Sequence, residues 1–115
     1  MNYIIPTTID QIKEQYPVNS IISVVSHFYP STTYFFKVTR YTKSSIELQQ
    51  LQKETISDEI GYYRVAPTDV KYGEPKLYRI TKFEDSFSIK LGRMYLFFKS
   101  DNRFNPSKVY ADYLD

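Results

Sequence analysis

The sequence predicts a mainly β fold: a small antiparallel barrel or sandwich with one short N-terminal helix. Three observations point to it. Several short runs are rich in β-branched and aromatic residues, turn signals separate them at close intervals, and no helical segments alternate with them. At 115 residues the chain has the size of one domain and can bury a core without covalent staples.

Residues 8–16 read as the helix, because Thr8 and Gln11 have capping-box spacing and Ile9, Ile12 and Tyr16 recur near helical period before Pro17 ends the segment. Ile21 to Val25 is mostly β-branched and reads as a strand. The cluster Tyr29-Pro30-Ser31-Thr32-Thr33 marks a loop over residues 27–33. Tyr34 to Tyr41 is the firmest strand pattern, with Tyr34, Phe36, Val38 and Arg40 on the expected core face and Phe35, Lys37 and Thr39 on the other.

Residues 44–54 fit two templates. Ser44 and Glu47 could cap a helix, while Ile46 and Leu48 alternate as in a strand. The short connection Thr42-Lys43-Ser44-Ser45 favours a hairpin, so a strand bulging at Gln49-Gln50 is expected. Residues 55–60 are polar and read as a loop, followed by a strand from Tyr62 to Val65 that Pro67 stops. Tyr72-Gly73-Glu74-Pro75 is a turn. Leu77 to Ile80, Phe87 to Leu91 and Met94 to Phe98 read as strands, the last two joined by Gly92-Arg93 in a type II′ turn. Asp101-Asn102 and Asn105-Pro106 mark a loop before a final strand from Lys108 to Tyr113. The helix is expected to cover an open end or edge of the sheet.

Composition narrows the function classes. No cysteine is present, which removes disulfides and thiolate metal sites and fits a reducing cytoplasm. The opening Met1-Asn2-Tyr3-Ile4-Ile5-Pro6 lacks the basic and apolar regions of a signal peptide, and no apolar run has membrane-spanning length. Cytoplasmic residence, without membrane attachment, is the expectation. Serine nucleophiles need a base, and His27 is the single histidine, beside Ser26 in a dipeptide whose side chains would point to opposite faces of a strand. The acidic pairs Asp58-Glu59 and Glu84-Asp85 fall in polar connections, where solvated charge accounts for them. Gly61, Gly73 and Gly92 are too scattered to cradle a phosphate. No catalytic residue, metal or cofactor is therefore expected, and binding is the expected mode of action.

Two features bear on what is bound. The chain has 12 Tyr and 8 Phe but no Trp, and tyrosine is enriched in protein interfaces. The candidate contact residues are Tyr29, Tyr34, Tyr41, Tyr62, Tyr63, Tyr72 and Tyr78; partial burial at the rim of a small core is the other reading. Net charge is only +2, yet residues 71–99 carry seven basic side chains against three acidic ones. Lys71, Lys76, Arg79, Lys82, Lys90, Arg93, Lys99 and Arg103, interleaved with aromatic residues, could follow phosphates while rings stack on bases. Amphipathic strands with solvated lysines would give the same pattern.

The stretch Ser26-His27-Phe28-Tyr29-Pro30-Ser31-Thr32-Thr33-Tyr34-Phe35-Phe36-Lys37-Val38, the turn Gly73-Glu74-Pro75, and Tyr95-Leu96-Phe97-Phe98 through Pro106-Ser107-Lys108-Val109-Tyr110 resemble small phage and mobile-element proteins of unknown function over residues 20–113. That group tends to carry Gly-Tyr-Asp-Gln-Thr-Asn where this chain has Phe28 to Thr33. The resemblance implies a phage-like origin and no particular activity. Three expectations follow: a binder and inhibitor of a host protein, for instance a defence nuclease or nucleoprotein complex in the manner of anti-CRISPR proteins; a nucleic-acid-binding barrel; or a virion component.

Overall fold

Thr8 starts the helix as its side chain accepts a hydrogen bond from the Gln11 amide at 3.2 Å. The Gln11 side chain reaches back to the Thr7 amide, 2.6 Å away, one residue earlier than a strict capping box would place it. The computed structural model describes residues 5–26, 30–99 and 102–114. Among them, helix α1 (Ile9–Gln15) precedes strands β1 (Ile21–Ser26), β2 (Thr32–Tyr41), β3 (Ser45–Glu59), β4 (Tyr62–Lys71), β5 (Lys76–Arg79), β6 (Thr81–Phe83), β7 (Ser86–Leu91), β8 (Met94–Phe97) and β9 (Ala111–Tyr113). No helix among these residues is long and apolar enough to cross a membrane.

The strands form two antiparallel sheets. The larger runs β1-β2-β3-β4-β9, with β5 also paired to β3; the smaller runs β6-β7-β8. The larger sheet curls until β9 returns to the start of β2. There Thr33 Oγ1 donates to the Ala111 carbonyl at 2.8 Å, and the Tyr113 amide donates to the Ser31 carbonyl at 2.9 Å. The result is the mainly β fold with one short helix that the sequence predicts.

Two cores follow from the curl. The larger lies between the sheets and under α1, and joins Ile12, Tyr16, Ile22, Phe36, Val38, Ile46 and Leu48 to Ile89, Leu91, Leu96 and Phe98. The smaller sits inside the curl and consists of Phe35, Leu51, Val65 and Tyr110, with Phe104 and Ile21 packed against it. Burying each such side chain stabilises the fold by roughly 1.5–3 kcal/mol.

Several expectations are corrected. Strand β2 buries both faces: Phe36 and Val38 meet the larger core as expected, while Phe35 on the opposite face is fully buried in the smaller one. Residues 55–60 are not a loop, since β3 continues to Glu59 and pairs with β4 through Glu59↔Tyr62. This arm is largely exposed on both faces, so no buried side imposes an alternating pattern on it. Strand β4 does not stop before Pro67 but runs to Lys71. Pro67 sits opposite Lys53, beside a register shift and beyond the stretch paired with β9, a position where strands tolerate proline. Pairing is regular at Gln49 and Gln50; β3 is irregular at Leu51/Lys53 and Thr55/Ser57 instead. The helical alternative for residues 44–54 is not adopted. Strand β2 begins at Thr32, β6 is an unexpected strand, and the last strand is only Ala111–Tyr113. The expected Gly92-Arg93 turn joins Leu91 to Met94, with Gly92 at φ +61° and a negative φ at Arg93, as type II′ requires.

Candidate functional site

A concavity of about 810 Å³ opens where β1, β8, β9 and residues 108–110 converge. Its walls carry the rings of Tyr62, Tyr95, Phe97 and Tyr113, and the cations of Lys99 and Lys108. Alternation in β8 explains the rings. Leu96 is buried in the larger core, so Tyr95 and Phe97 point outward and remain 60% and 37% exposed. Tyr62 and Tyr113 face each other across the β4–β9 pair, with ring centres 5.6 Å apart. Lys90, opposite Tyr95 in the sheet, holds its ammonium 6.0 Å from that ring.

One end of this cleft is tied down. The Asn102 side-chain amide donates to the Phe97 carbonyl, and the Asn102 carbonyl accepts from Ser23 Oγ at 3.3 Å. The wall behind it is fixed by Asp112, which pairs with Lys53 at 2.6 Å and accepts from the Thr33 amide at 2.9 Å. Lys53 also donates to the Thr33 carbonyl at 2.8 Å. The ends of β2 and β9 are thereby clamped at the cleft.

The tyrosines selected from sequence do not share one surface. Tyr62 lines the large cleft. Tyr34 and Tyr72 border a second, of 450 Å³, and Tyr34 and Tyr78 a third, of 310 Å³, with Arg93. Tyr63 alternates to the other face from Tyr62. Tyr41 is structural: its hydroxyl donates to the Tyr16 carbonyl at 2.5 Å, and burial pushes its ionisation well above the usual phenol range. Burial raises Tyr78 in the same direction. Tyr29 and His27 lie outside the described residues.

The basic residues are dispersed as well. Lys99 lines the large cleft and Arg93 the smallest. Lys90 and Lys82 alternate to opposite faces of the smaller sheet, Lys82 lying 5.5 Å from the Phe87 ring. Lys71, Lys76 and Arg79 are exposed on the ends of β4 and β5, while Arg103 reaches the Gln15 carbonyl at 3.4 Å. No continuous basic track joins them. Among the described residues, no three His, Cys, Asp or Glu side chains gather as a metal site requires.

Sequence reasoning left Tyr95, Phe97, Tyr113 and Lys108 out of the protein-contact candidates, and Tyr95 entered only among the aromatic residues interleaved with the cations. The signal was available for two of them: Met94-Tyr95-Leu96-Phe97 is apolar throughout, and a strand at a sheet edge must turn half of such a run outward. The position of Tyr113 and Lys108 depends on the curl that brings β9 home. Comparison with protein-family models, curated proteins and solved structures finds no match to this chain.

Proposed function

We propose that this protein is not an enzyme and acts by binding another protein through the cleft between β1, β8 and β9. The observation that carries this reading is five aromatic residues, Tyr62, Tyr95, Phe97, Tyr110 and Tyr113, lining one concave surface. Rigid amphipathic rings at the centre of a concavity supply most of the energy of typical interfaces. The resemblance to small phage and mobile-element proteins supports a bacterial host protein as the partner, with inhibition as the outcome and a defence nuclease as the class to assay first. The dispersal of the cations weighs against the nucleic-acid alternative, because phosphate contacts must add along one track to dominate affinity.

Affinity purification of the full chain from a bacterial host tests the reading. A stoichiometric host protein is expected, and it should be lost when Tyr95→Ala and Phe97→Ala are combined. Recovery of nucleic acid alone, or of further copies of this chain alone, would overturn it.

A further inference from the structure

The large cleft is bordered by three consecutive residues of β1, namely Ser23, Val24 and Val25, and three of β8, namely Tyr95, Leu96 and Phe97. Successive side chains of a strand point to opposite faces. All three can border one cavity only where it runs along the backbone edge of the strand. β1 and β8 are terminal strands of their respective sheets, so the cleft separates two sheet edges.

The hydrogen-bonding directions of both edges follow from antiparallel alternation. In β1 the Ile21 carbonyl accepts from the Phe104 amide at 2.7 Å, on the side away from β2. Residues at even spacing, Ser23 and Val25, present their backbone groups the same way, but the Ile22↔Arg103 bridge covers this edge as far as Ser23, whose hydroxyl donates to the Asn102 carbonyl, so Val25 is the open position. The register confirms this for Val25: its partner Thr33 turns its amide to Asp112 and its carbonyl to Lys53, both away from β1. In β8 the Phe98 amide donates to the Phe87 carbonyl at 3.0 Å, so Tyr95 and Phe97 direct theirs away from β7. Phe97 is taken up by Asn102, which leaves the Tyr95 groups on the open edge, as Val25 is on the other wall.

Resting on the protein-binding reading, we propose that the cleft takes an acidic, extended segment of the partner, added as a strand between the edges of β1 and β8. Strand addition draws affinity from main-chain hydrogen bonds and specificity from alternate side chains. Val25 and Tyr95 are the open positions of the two edges, and a core of about three residues, about 10 Å long, spans them. The charge of the occupant follows from the lining: Lys99 and Lys108 are present, none of the described lining residues is Asp or Glu, and Lys90 stands over Tyr95. Asp112, the acid nearest in sequence on the β9 wall, is held by Lys53. Strands β1 and β8 of a second copy carry no acid to meet these cations, whereas an acidic strand meets complementary charge.

A random dodecapeptide library selected against the full chain tests this. Enriched sequences should alternate β-branched or aromatic residues and carry Asp or Glu. Fluorescence anisotropy with a synthetic selected peptide should show affinity falling about tenfold or more, both on N-methylation of alternate backbone nitrogens and against the Lys99→Glu/Lys108→Glu variant. Both lysines are exposed, and circular dichroism checks that the variant folds; the N-methylated peptide tests the native chain regardless. No enrichment, enrichment of non-acidic peptides, indifference to N-methylation, or displacement of the peptide by oligothymidylate would each overturn the proposal. If a purified host partner is still held by the charge-reversed variant, strand addition here fails while protein binding stands.

Discussion

Tyr41 joins two features that are usually separate, a hydrogen bond to the carbonyl that ends α1 and a hydroxyl buried enough to resist ionisation. Because the folded-state pKa lies above the unfolded one, its contribution is fully present below about pH 10 and is lost as pH climbs toward the folded value. Alkaline titration followed by circular dichroism should therefore show a stability decline beginning near pH 10 that is shallower in Tyr41→Phe. At neutral pH the same substitution should cost about 1–2 kcal/mol in urea unfolding, since it leaves a partly buried carbonyl without its donor. Gln49 is a second residue whose role only the fold reveals: buried and polar, it donates to the carbonyls of Gln50, Tyr72 and Gly73 and pins the β4–β5 turn.

Two short elements make the cleft, and each depends on one or two residues. Strand β9 has only three residues, too few to stay in place by its ladder alone, and the Lys53–Asp112 pair ties it to β3 and, through Thr33, to β2. Asp112→Ala should lower stability by about 2 kcal/mol, because it strips partners from Lys53 and from the Thr33 amide together. A double-mutant cycle with Lys53→Met should return a coupling of about 0.5–3 kcal/mol. The β7–β8 hairpin depends on Gly92, whose φ of +61° a side chain would strain. Gly92→Ala should cost about 1 kcal/mol in thermal or urea unfolding.

At the scale of the molecule, β2 connects both cores, giving Phe36 and Val38 to one and Phe35 to the other. The smaller core cannot lose its packing without disturbing the strand that organises the larger. A single unfolding transition is expected, with far-UV and near-UV circular dichroism giving one midpoint. Phe35→Ala should lower its stability by about 3–5 kcal/mol. The more exposed Tyr95→Ala should change it by no more than about 0.5 kcal/mol, which separates loss of binding from loss of fold.

Sequence alone determined the fold class, the helix with its Thr8 cap, the hairpin of β2 and β3 and the II′ turn at Gly92. Each is written in local chemistry: capping oxygens, β-branched runs and positive-φ glycine act over a few residues. The tertiary structure decided the extension of β3 and β4, the second core around Phe35, and the cleft. An arm exposed on both faces has no buried side to impose a pattern, and a strand buried on both faces shows no alternation. The cleft brings together Ser23, Tyr62, Tyr95, Lys108 and Tyr113 from four separate stretches of chain, and only the tertiary fold makes them neighbours. The tyrosine excess is legible in the composition, but which tyrosines meet was set by closure of β9 onto β2.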